Sequence, residues 1–69
     1  MPSSVIARID YDDTVSRLTI TFVGGRVYDY YAVPAAVADA LQHAPSKGAF
    51  FNQNIRDRYP CRERNTGAA

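Results

Sequence analysis

Leu18-Thr19-Ile20-Thr21-Phe22-Val23-Gly24-Gly25-Arg26-Val27-Tyr28-Asp29-Tyr30 decides the fold of this chain. Leu18, Ile20 and Phe22 alternate with Thr19 and Thr21, the period of a strand with one apolar face. Gly24-Gly25 marks a hairpin turn, and Arg26 to Ala32 continues as a strand rich in tyrosine and valine. Two registers are open. A two-residue Gly-Gly loop pairs Phe22 with Val27 and Ile20 with Asp29, which places the aspartate on the apolar face. A three-residue loop, Val23-Gly24-Gly25 with Gly25 left-handed, pairs Ile20 with Tyr28 and Leu18 with Tyr30. The second keeps Asp29 in water. A buried unpaired carboxylate is strongly unfavourable, so the second register is preferred. Tyr28 and Tyr30 then join the core, and Tyr31 faces outward.

Upstream, Val5, Ala7, Ile9 and Tyr11 alternate with Ile6, Arg8, Asp10 and Asp12, a first strand with one mainly apolar face. Asp12-Asp13-Thr14-Val15-Ser16 is a turn. Downstream, Pro34 suits a helix start, and Val33, Val37, Ala40, Leu41 and Ala44 share a face at helical spacing. Pro45 ends that helix. Ser46 caps a second one carrying Phe51, Ile55 and Tyr59 on one side, and Pro60 stops it. The order βββαα implies an α+β fold, a three-stranded antiparallel meander with two helices packed on one face. Residues 1–60 form one domain and 61–69 a polar, frayed tail.

Sixty-nine residues bury only about 60% of their unfolded surface, so the core is thin. One cysteine, Cys61, and one histidine, His43, cannot build an internal disulfide or a zinc site. No metal or cofactor is expected. No apolar run approaches the ~20 residues of a membrane span, and the lone thiol fits a cytoplasmic setting. Neither a Ser/His/acid nor a Cys/His arrangement has a plausible spacing, so no catalytic residue and no small-molecule substrate are expected. The net charge of +1 hides an asymmetry. Residues 1–45 hold three arginines against five aspartates, while 46–69 hold Lys47, Arg56, Arg58, Arg62 and Arg64 against Asp57 and Glu63.

The ordered set Ser3-Ser4-Val5-Ile6, Leu18-x-Ile20-x-Phe22, Tyr28-x-Tyr30, Val33-Pro34 and Ser46-x-Gly48-x-Phe50-Phe51-Asn52-x-x-Ile55-Arg56 resembles the KTSC family. These are small domains found alone in bacteria and phages and fused to the C-terminus of some lysyl-tRNA synthetases. Gly24 stands where that pattern would have Asn or Asp, and Phe50 where it would have tyrosine. The resemblance marks Tyr28, Tyr30, Ser46, Gly48, Phe50 and Phe51 as family positions. It implies RNA, of the transfer-RNA kind, as a partner.

Each position admits two readings. Tyr28 and Tyr30 are core packing or a stacking platform for bases, and the register favours the core. Ser46 and Gly48 are a plain cap with a close helix approach, or with Lys47 an anion site. Arg56, Arg58, Arg62 and Arg64, with Asn52 and Asn54 beside them, are a solvated helix exit or a phosphate-binding patch. The alternative to RNA is a protein or self-association surface on the sheet edge or on an outer face carrying Ile6, Val27 and Tyr31.

Overall fold

The structure, a computed structural model, describes residues 6–64. Its elements are β1 (Ile6–Asp12), β2 (Arg17–Phe22), β3 (Val27–Tyr30), α1 (Ala35–His43), α2 (Lys47–Asn54) and β4 (Cys61–Arg64). The strands form one antiparallel sheet in the order β1-β2-β3-β4. The α+β reading holds, with one strand more than expected. Ser3, Ser4, Val5 and the tail beyond Arg64 lie outside the described residues.

The hairpin takes the three-residue register. Leu18 pairs with Tyr30 and Ile20 with Tyr28. Gly25 has φ +98°, and its N–H donates to the Phe22 carbonyl at 2.8 Å. The left-handed angle that a Cβ would oppose is thus taken by the glycine. Leu18 and Ile20 are fully buried. With Tyr30, Val33, Ala38, Leu41, Phe51 and Ile55 they form the core, so both helices cover the same face of the sheet.

In β1 the simple alternation fails. Ile6 pairs with Phe22 but Arg8 with Thr21, so Ala7 is an extra residue in a bulge. The bulge turns Ile6 to the side of Ile9 and Tyr11, and all three pack on the core. Ile6 is therefore not on the outer face where strict alternation places it. Val27 is half-buried and only Tyr31 is exposed among the three residues expected there. Their neighbours on that face are polar and charged, including Arg8, Asp10, Thr19, Thr21 and Arg62. The contiguous apolar face on which an interaction surface was expected is absent among the described residues.

The first helix begins at Ala35, so Val33 precedes it and does not share its period. Val33 is nevertheless buried, held by its N–H to the Ser16 carbonyl (3.0 Å) and by Tyr11, whose hydroxyl donates to its carbonyl at 2.7 Å. The buried residues of α1 are Ala38 and Leu41, and Ala40 is exposed. The inward face is rotated from the one that Val33 suggests.

In α2 the Ser46 hydroxyl accepts from the Ala49 N–H at 3.3 Å, as a cap should. The helix does not reach Pro60. The Asn54 side chain donates to the Phe50 carbonyl, and the N–H groups of Ile55 and Arg56 both turn back to Phe51. A turn over 55–58 then redirects the chain along β3.

That turn corrects two further expectations. Residues 61–64 are a strand, not a frayed tail: Tyr30 pairs with Cys61 and Val27 with Arg64. Asp29 is not in water but 7% exposed. Its carboxylate accepts from Thr19 Oγ1 at 2.7 Å and from Arg64 Nη2 and Nε at 2.8 and 3.2 Å. The paired register puts Asp29 on the outer face as argued, and β4 then brings the guanidinium that makes its burial tolerable.

Candidate ligand cleft

Phe22 closes β2, Tyr28 and Tyr30 alternate onto the core face of β3, and Phe51 points down from α2. Together they form an aromatic cluster. Phe22 meets Tyr28 at 5.8 Å and Phe51 at 5.5 Å, and Tyr30 meets Phe51 at 5.5 Å, all edge to face. Such pairs contribute about 0.5–1.5 kcal/mol each beyond burial. Tyr28 and Tyr30 lie 6.4 Å apart with rings inclined at 33°.

The cluster does not close on itself. It walls an open cleft of about 410 Å³ completed by Arg56 and Asp57 from the turn after α2 and by Cys61 from β4. That volume lies in the range of small-ligand sites. Tyr30 is buried in the floor. Tyr28 is half-buried at the rim, its hydroxyl 3.4 Å from Glu63 Oε1. The cleft thus has aromatic walls and a cation and an anion among its lining residues.

Burial, reinforced by the Cys61 thiol, pushes the Tyr30 hydroxyl well above its usual 10.0. An unfolded tyrosine ionises near that value while the folded one keeps its proton. The contribution of Tyr30 to stability is therefore intact below about pH 10 and lost as pH rises beyond it. Thermal melts from about pH 8 to about pH 11 should show a falling midpoint, and Tyr30→Phe should flatten that fall. An unchanged slope in the phenylalanine variant would place the alkaline instability elsewhere.

The residues expected at a nucleic-acid site do not form one patch. Arg56 lines the cleft. Arg58 is exposed on the same turn, its Nε donating to the Gln53 carbonyl at 3.4 Å. Asn52 is half-buried in α2, and the exposed Asn54 is engaged with Phe50. Arg62 is exposed on β4 opposite Asp29. Lys47, at the other end of α2, lines a separate recess of about 320 Å³ with Arg8 and Gln42. Of the family positions, Tyr28, Tyr30 and Phe51 line the cleft, Phe50 packs on the core, and Ser46 and Gly48 sit at the start of α2. Phe22, Asp57 and Cys61 complete the cleft and were not among the expected site residues. Phe22 belongs to the family pattern but reads there as a strand residue, and the other two meet it only after the chain turns at 55–58.

Among the described residues, no group of three or more His, Cys, Asp or Glu side chains is placed to hold a metal ion. None of their helices is long and apolar enough to cross a membrane.

The chain belongs to the KTSC family: the KTSC domain model matches residues 2–59. The chain is 43% identical over 56 residues to a lysine–tRNA ligase of Nostoc punctiforme and 39% identical over the same length to that of Trichormus variabilis. Each match covers 81% of the chain but 10% of the ligase. A protein of Tsukamurella paurometabola is 40% identical over 83% of the chain and 85% of its own length. The crystal structure of a KTSC domain protein from Yersinia pestis superposes with a TM-score of 0.81 at 34% identity, covering 93% of each chain. The domain thus occurs as most of a small protein and as part of a tRNA ligase. The family match stops before β4.

Proposed function

We propose that this KTSC domain is a non-catalytic, cytoplasmic module that binds single-stranded RNA, with a base in the aromatic cleft and the flanking phosphates on Arg56 and Arg58. One observation carries the reading: a half-exposed tyrosine ring and an arginine line the same open cleft. Stacking on aromatic rings beside cationic contacts to the backbone is how single strands are held without a groove to read. The related lysine–tRNA ligases, whose names place them with transfer RNA, add support from a different direction. The rival, a protein or self-association surface, draws less support. The outer sheet face is polar, and the β4 edge carries Arg62, Glu63 and Arg64, the kind of charged edge that discourages strand addition.

Fluorescence anisotropy with transfer RNA and with an unstructured oligoribonucleotide, at two salt concentrations, tests this. Binding should fall steeply with salt. Arg58→Gln should weaken all sequences alike and lower the salt slope by about 0.7, the value for one phosphate contact on a single strand. Thermal stability should stay within about 0.5 kcal/mol, since Arg58 is exposed and makes no ion pair among the described residues. Absence of binding at low salt would reject the RNA reading and leave the protein-partner reading.

A further inference from the structure

Asp57 is the odd member of the cleft. A carboxylate beside an arginine that holds phosphate opposes the binding of a polyanion. Its side chain makes no hydrogen bond and no ion pair with any described residue, including its neighbour Arg56. It does not serve the helix either, because a negative charge just past a helix C-terminus faces the negative end of the dipole. It is nevertheless a lining residue of the aromatic cleft. Exposed in the wall of the cleft, its two oxygens are available to accept hydrogen bonds from a ligand.

We infer that the base held in the cleft is guanine, read by Asp57. The inference rests on the RNA reading and specifies its ligand. A carboxylate presents two parallel acceptors. Guanine alone among the four bases has two adjacent donors, N1–H and the N2 amino group, on its Watson–Crick edge. Adenine and cytosine offer one amino group beside a ring nitrogen that would repel the second oxygen, and uracil offers one N–H between two carbonyls. Bases in single strands are free to present this edge while their faces stack. Tyr28, Phe22 and Phe51 supply the apolar walls, and Asp57 supplies the discrimination.

The test uses the full chain and labelled oligouridylates with one central guanosine, adenosine, cytidine or inosine. The guanosine oligomer should bind about 5–10-fold more tightly than the adenosine one, the lower end of what a bidentate pair contributes, since Asp57 is exposed. Inosine, which lacks the N2 amino group, should lose most of that preference. Asp57→Asn should bring the guanosine oligomer down to the others and, by removing a negative charge from beside the phosphates, slightly raise the affinity for plain oligouridylate, with an unchanged melt. Equal binding of all four oligomers by the parent, or a guanosine preference that survives Asp57→Asn, would overturn the assignment of guanine and leave the RNA reading standing. Failure of every oligomer to bind at low salt would overturn both.

Discussion

Tyr30→Ala should abolish the cooperative melt of this domain, whereas Tyr28→Ala, two residues away on the same face, should leave it folded. Tyr30 is 4% exposed and packs edge to face on Phe51 beneath the cleft. Truncating such a residue costs about 3–5 kcal/mol, as much as a core of this size supplies in total. Tyr28 keeps part of its ring in solvent, so its loss should cost about 1–2 kcal/mol and lower the midpoint by about 5–15 °C. Binding should then separate the two roles. Tyr28→Ala should weaken RNA binding through lost stacking, while Tyr30→Phe, which keeps the ring, should bind as the parent does. Circular dichroism melts decide the first point. A Tyr30→Ala protein melting cooperatively near the parent temperature would show that the floor of the cleft is not part of the core.

The sequence treats these two tyrosines as equivalent, and what it can and cannot say follows from that. Alternation and turn chemistry are local, and they were enough for the hairpin: Gly25 at a left-handed angle and Asp29 kept off the apolar face together selected the right pairing. The bulge at Ala7 has no local signal, because Ile6-Ala7-Arg8-Ile9 reads equally well as unbroken alternation. It is set by the need to bring Ile6 under the helices. The fourth strand is harder still. Cys61-Arg62-Glu63-Arg64 has no apolar face, and all four residues are exposed, so composition points to a solvated tail. Its strand character comes from the open edge of β3 and from Asp29, partners more than thirty residues away.

The site was legible in the same partial way. The family pattern singled out Tyr28, Tyr30, Phe51 and Arg56, and the fold brings these four to one cleft. It scatters the remaining basic residues, because α2 ends at Asn54 rather than at Pro60. A helix continued to Pro60 would have set Arg58 in line with Lys47 and put Arg56 on the opposite side. The turn instead swings them toward β4 and leaves Lys47 with Arg8.

The fourth strand makes the last prediction. Arg64→Ala should detach β4 while the rest of the domain stays folded. None of its four side chains is buried, so β4 is held by backbone hydrogen bonds to β3, by Pro60 accepting from the Tyr31 N–H, by the Tyr28 hydroxyl donating to Glu63, and by the Arg64–Asp29 pair. Removing the guanidinium leaves a carboxylate side chain, 10% exposed, with Thr19 alone among its described partners. A fully buried pair broken in this way loses about 3–5 kcal/mol, but Arg64 is 46% exposed, so about 1.5–3 kcal/mol is expected. Asp29→Asn should cost less than Arg64→Ala, and the double variant less than the sum, with a coupling of about 1–2 kcal/mol. Amide exchange gives the sharper readout. In Arg64→Ala the amides shared by β3 and β4 should lose protection, while those between β1 and β2 keep theirs. The cleft should loosen with them, since β4 supplies Cys61 to its wall and Glu63 to the Tyr28 hydroxyl. Retained protection along β3 would mean that the backbone ladder alone holds the strand, and that the buried aspartate is a cost the fold carries rather than the anchor of its edge.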